Sequence, residues 1–207
     1  MQDFFFHAPE TLEEVFTLLR EFGDEARLIA GGTSLVPMMK QSFVQADHLV
    51  SLHRIKDLRS IGTGNGDLHI GALVTHREVE MSGLVRQRVP FVAEVYSRVA
   101  TVRIRNAATV GGGLASADPS QDPPPGLIVL GAKVCLRSPE GERVIPVEDL
   151  FRDYYESSIQ PDELLTELII PFPSPKARSV YLKYLPRTAD DYPTVGVAAM
   201  AQLEGGR

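Results

Sequence analysis

The chain has 207 residues, 21 Lys+Arg against 27 Asp+Glu for a formal charge of −6, with 43% hydrophobic and 23% charged residues. That is globular composition, with room for one or two domains at roughly 150 residues each. The acidic balance argues against a nucleic-acid binder, which needs a basic face, and no apolar run approaches the ~20 residues that cross a bilayer.

The chain opens Met1-Gln2-Asp3-Phe4-Phe5-Phe6-His7, with an acid where a secretory leader carries basic residues, so a cytoplasmic location is expected. Thr11-Leu12-Glu13-Glu14 reads as a capping box, and Leu12, Val15, Phe16 and Leu19 follow helical spacing up to Gly23. Residues 27–30 read as a short buried strand running into Gly31-Gly32-Thr33-Ser34, followed by a helix over 35–40 and a strand over 48–52. Asn65-Gly66 signals a hairpin ahead of a strand over 68–72. A second capping box, Thr75-His76-Arg77-Glu78, opens a short helix, and another helix covers 90–100. A glycine loop at Thr109-Val110-Gly111-Gly112-Gly113 leads toward Pro123-Pro124-Pro125. Strands over 133–137 and 143–146 flank Ser138-Pro139-Glu140-Gly141, and a further strand covers 168–170. Pro171, Pro173 and Pro175 mark a boundary, beyond which 180–185 and 195–203 alternate like sheet strands.

The two glycine loops carry the chemistry. Glycine lets a ligand approach the backbone closely, and a loop that opens a helix presents amides to an anion. The first loop lacks the Gly-Lys-Ser/Thr of a Walker A motif, and neither matches G-x-G-x-x-G. A tight turn or a close backbone crossing would explain either loop alone. Two of them, about 75 residues apart, could clamp the phosphates of a dinucleotide from both sides without net positive charge. The single cysteine, Cys135, can hold neither an intramolecular disulfide nor a four-cysteine iron–sulfur or zinc site, so redox chemistry needs an organic cofactor or a metal on other ligands. The five histidines show no paired metal spacing, and no Gly-x-Ser-x-Gly elbow occurs.

In order, I-A-G-G-T-S-L, R-I-R-N-x-A-T-V-G-G-G-L-A-x-A-D-P-x-x-D and K-x-x-x-R-x-x-D-D-Y resemble the FAD-binding medium subunits of molybdenum hydroxylases. The likeness is greatest to the aerobic carbon monoxide dehydrogenase group, with xanthine dehydrogenase as a cousin, and covers nearly the whole chain. It implies an α+β chain with the FAD-binding fold of the vanillyl-alcohol oxidase (PCMH) type. Two α/β subdomains, 1–56 and 57–173, would precede the start of a C-terminal α+β domain, 174–207. Members have roughly 100 residues in that third domain, so the chain reads as a truncated or partial member.

The resemblance also implies site residues. Leu28, Ile29, Ala30, Gly31, Gly32, Thr33, Ser34 and Leu35 would wrap the FAD pyrophosphate, and Thr109, Val110, Gly111, Gly112 and Gly113 would grip its other side. Many members carry Asn at Gly113, so only backbone contact is implied there. Asp122 would bond the adenosine half, with a helix cap as its structural alternative. Leu165 would meet the flavin edge with its backbone, or else simply pack in the core. Lys183 would sit near the pyrimidine end of the flavin, and Tyr192 would cover one face. Arg103, Arg105 and Asn106 would support the second loop.

The implied role is electron transfer. A small 2Fe–2S subunit would pass electrons from a large molybdopterin subunit to FAD, and FAD would pass them to a quinone, NAD or another acceptor. The complex would be a dimer of heterotrimers, with no nucleic acid involved, and this chain would not be an integral membrane protein. A stand-alone flavin oxidoreductase and a nonredox dinucleotide-binding module are the alternatives. The Lys183–Tyr192 segment is what favours a flavin ring over a plain dinucleotide.

Overall fold

The computed structural model describes residues 3–202 apart from 186, 187 and 189. In chain order the elements are β1 (Phe5–His7), α1 (Leu12–Phe22), β2 (Ala26–Ile29), α2 (Leu35–Lys40), β3 (His48–Ser51), β4 (Ile61–Gly64), β5 (Asp67–Gly71), α3 (His76–Met81), α4 (Gly83–Arg88), α5 (Pro90–Ser97), α6 (Val102–Ala107), α7 (Val110–Ala115), α8 (Pro123–Val129), β6 (Lys133–Ser138), β7 (Gly141–Pro146), β8 (Phe151–Asp153), β9 (Glu156–Ser157), β10 (Leu164–Pro171), β11 (Ala177–Tyr184) and β12 (Val195–Gln202).

Residues 5–51 contain a parallel sheet ordered β1-β3-β2, with α1 packed on it. Helix α1 forms because its apolar residues fall on one stripe. Val15, Phe16 and Leu19 are buried from it, each worth about 1.5–3 kcal/mol on full burial. Thr11 caps it by accepting from the Glu14 amide at 3.2 Å. The expected reciprocal bond is displaced: Glu14 accepts instead from the amide of Glu10, one residue before the cap. At Thr75 the box is complete, with Glu78 accepting from the Thr75 amide.

Residues 61–171 form an antiparallel sheet ordered β4-β5-β10-β6-β7. Asn65 and Gly66 both take positive φ at the β4–β5 turn, which matches the right-handed strand twist. Leu68, Ile70, Val134, Leu136, Leu168 and Ile170 pack under α3, α4, α5 and α8, forming the larger core with Val79, Val85, Phe91 and Tyr96. A second core joins α1 to this sheet, because Leu73 and Leu164 pack with Val15, Leu52, Ile55 and Leu58. The β11–β12 hairpin lies beyond, anchored by buried Tyr181.

Several expectations need correction. Residues 109–113, expected as a loop, instead cap and open helix α7: the Thr109 side chain accepts from the Gly112 amide and starts the turn. Pro123 opens α8, since proline suits the first helical position, with Asp122 at the cap position. Strand β10 begins at Leu164, four residues before the expected start at 168. Strand β1, helices α4 and α6, and the β8–β9 hairpin had no clear periodicity to announce them. Leu203, the expected end of the last strand, lies outside the described residues.

Candidate functional site

Strand β2 ends at Ile29, and residues 30–34 carry the chain into α2. From Arg27 to Val36 every residue is half-buried. The amides of Gly31, Gly32, Thr33, Ser34 and Leu35 donate to no carbonyl or side chain among the described residues, while Val36 N turns back to Gly32 O at 3.0 Å. Five free donors at a helix start form a cradle for an anion. Gly32 has φ +71°, a conformation that side-chain-bearing residues rarely adopt.

The second glycine segment contributes differently. Val110 N bonds Val74 O at 2.9 Å, Gly111 N bonds Ala72 O at 2.8 Å, Gly112 N bonds Thr109 Oγ1 at 3.2 Å, and Gly113 N bonds Thr109 O at 2.9 Å. Its amides are already paired, so the two expected rings of donors reduce to one ring facing a close-packed wall. The glycines allow that closeness. A Cβ on Gly111 would meet Ala72 Cβ at 2.5 Å, and one on Gly31 would meet Ala107 O at 1.8 Å. Helix α6 therefore abuts the first loop directly.

Arg105 fixes α6. It is buried, donates to Glu80 Oε2 at 2.9 Å, and donates to the carbonyls of Val99 and Ala100 at 2.8 and 2.7 Å. Burial pushes the Glu80 carboxyl up, but Arg77 and Arg105 outweigh it and hold the group below its ordinary value. The expected support of the second segment thus comes from Arg105, while Arg103 and Asn106 are exposed. His76 lies under Gly113, and burial pushes its imidazole down to about 4, so it adds no charge.

Between the two segments lies a cavity of about 670 Å³, within the range of small-molecule sites. Of the expected residues, 28–35, Thr109, Gly111, Gly112, Gly113 and Leu165 line it. Leu165 sits beside a register shift between Leu165 and Glu167, where β10 bends. Val110 lies in the core beneath the wall. Arg27, Ser116, Tyr155, Gln160 and Glu163 also line the cavity. No local pattern marks them, because strand ends and a short hairpin bring them there.

Asp122 and Lys183 form a separate group. Asp122 Oδ1 accepts from the Tyr181 hydroxyl at 2.8 Å, and Oδ2 accepts from Lys183 Nζ at 2.9 Å; both charged side chains are almost fully buried. Lys183 also donates to Arg98 O at 2.9 Å. Burial pushes the Asp122 carboxyl above its ordinary value, against the pull of Lys183 and Tyr181. The same burial, with Asp122 alongside, pushes the Tyr181 phenol up. Asp122 occupies the cap position of α8 but makes no cap bond. The structure thus brings together Asp122, expected at the adenosine half, and Lys183, expected at the flavin end. Tyr192 is exposed.

A strand–loop–helix with free amides facing a glycine wall across a cavity suits a nucleotide cofactor. The model of the FAD binding domain in molybdopterin dehydrogenase matches residues 2–173. The chain is 35% identical over 204 residues to the carbon monoxide dehydrogenase medium chain of Afipia carboxidovorans, covering 99% of this chain and 70% of that one. It is 30% identical to the xanthine dehydrogenase FAD-binding subunit of Escherichia coli O157:H7, covering 97% and 69%. Among solved structures, carbon monoxide dehydrogenase from Hydrogenophaga pseudoflava lacking the Mo-pyranopterin moiety superposes with a TM-score of 0.96 at 34% identity, over 99% of this chain and 71% of that one. The chain belongs to the family of FAD-binding domains of molybdopterin dehydrogenases. It has the family's α+β fold, it is an oxidoreductase subunit, and its cofactor is FAD.

Proposed function

We propose that this chain is the electron-transfer flavoprotein subunit of a molybdenum hydroxylase of the carbon monoxide dehydrogenase type. The observation that carries this reading is the row of free amides from Gly31 to Leu35, set at the mouth of a cavity in a chain of this family. Those amides would hold the pyrophosphate, with Gly111, Gly112 and Gly113 as the opposing wall. Leu165 would lie along the flavin edge. Asp122 and Lys183 would act together at the flavin end, with Lys183 held in place by Asp122. FAD, when bound, supplies a carrier that accepts electron pairs and passes electrons on.

The division into 1–56, 57–173 and 174–207 would leave the cofactor between the first two parts, which the family model spans, and the third beside the flavin. Partners would be a 2Fe–2S subunit and a molybdopterin subunit, paired as a dimer of heterotrimers in the cytoplasm. Among the described residues no helix is long and apolar enough to cross a membrane. Carbon monoxide is the substrate favoured by relatedness, and an external acceptor would receive the electrons.

The test is purification of the chain and titration of the apoprotein with FAD and with ADP. FAD uptake with visible flavin absorbance, ADP binding at least about tenfold more weakly, and no turnover by the chain alone are expected. Equal affinity for ADP would make it a nonredox nucleotide module. Substrate turnover without partners would make it a stand-alone enzyme. Coexpression with the two partner subunits should yield a complex that reduces an acceptor through the flavin.

A further inference from the structure

We propose that Tyr155 is an aromatic wall of the cofactor cavity, against which the isoalloxazine ring stacks. The inference rests on the reading of the cavity as the FAD site. Tyr155 sits at the tip of the β8–β9 hairpin with φ +60°. A bulky residue in the left-handed region is strained and is kept there only when its surroundings enforce it. Here one bond does so: Tyr155 N donates to Ala117 O at 2.9 Å. Ala117 is itself left-handed, at φ +46°, just beyond the end of α7. The hairpin tip is therefore tied to the C-terminal end of the same helix whose first turn forms the glycine wall.

The consequence is directional. Tyr155 lines the cavity, whereas its neighbour Tyr154 does not. Its side chain is exposed, and among the described residues it stacks on no other ring. A large, flat, open aromatic surface at a cavity wall is suited to a ring of the ligand. The choice of ring follows from the neighbours. Tyr155 belongs to the stretch 155–165 that supplies cavity-lining residues, and that stretch ends at Leu165, proposed above to lie along the flavin edge. An aromatic ring and the flavin-edge residue thus share one wall of the cavity. That grouping fits the three-ring system, whose charge changes on reduction, better than it fits an adenine.

The experiment uses the full chain with Tyr155→Ala, Tyr155→Phe and Tyr155→Gly, titrated with FAD and with ADP by calorimetry and by quenching of flavin fluorescence. Tyr155→Ala should bind FAD roughly three- to tenfold more weakly, with less quenching, and bind ADP as the parent does. Tyr155→Phe should retain FAD affinity within about twofold. Tyr155→Gly should raise the melting temperature of the apoprotein by removing the strain while weakening FAD as Tyr155→Ala does. FAD binding and quenching unchanged in both Tyr155→Ala and Tyr155→Gly would overturn the proposal. An equal loss of FAD and ADP affinity would overturn the flavin assignment and place adenine there. A parent chain that binds no FAD would instead refute the cavity reading, and this inference with it.

Discussion

Gly31→Ala tests the geometry most directly. The new Cβ would lie 1.8 Å from Ala107 O and 2.7 Å from the carbonyl carbon, where ordinary contact begins at 3.4 Å. Both neighbours are backbone, so no side chain can rotate away; the first loop and α6 must separate by about 1.6 Å, the gap between those distances. Overpacking of this kind costs about 1–3 kcal/mol. Arg105 holds α6 against Glu80 and two carbonyls, so the movement falls on the loop that carries the free amides. If the strain is expressed in binding, FAD affinity drops by roughly 5- to 150-fold. The assay is FAD titration of the apoprotein beside a thermal melt. Gly62→Ala is the control, since nothing lies within 4 Å of the added Cβ there. A Gly31→Ala chain that folds and binds FAD as tightly as the parent would refute the reasoning, because the loop would then not be set by contact with α6.

Two further outcomes follow from the charged groups. Asp122→Ala strands the buried Lys183 ammonium, and loss of one partner of a buried pair costs about 3–5 kcal/mol, so urea unfolding should show a clear fall in stability; an unchanged midpoint would mean that Lys183 reaches water. The hydrogen bond from His69 to Glu167 raises the His69 imidazole above its ordinary 6.5, so the stability it adds is complete below that value and is lost as pH rises through the raised one. The melting-temperature gap between the parent and His69→Gln should accordingly be widest in mildly acidic buffer and close toward alkaline pH, and a gap that widened with pH would contradict it.

Local patterns in the sequence determined much of the fold. The spacing of Leu12, Val15, Phe16 and Leu19 specified α1, and Asn65-Gly66 specified a hairpin, because both depend on geometry within a few residues. The order of the glycine and Asp-Asp-Tyr motifs carried the resemblance that implied the family and FAD, and the family model bears both out over residues 2–173. Tertiary structure decided what each glycine does. Gly31 is required by Ala107 and Gly111 by Ala72, contacts between segments far apart in the chain, and the pairing of the Val110 and Gly111 amides follows from the β5–α3 connection packed beside them. It likewise brought Asp122 to Lys183, 61 residues away, and turned Tyr155 into the cavity through a strained hairpin. These are long-range juxtapositions, and no periodicity along the chain encodes them, because they arise only when separate sheets and helices close on shared cores.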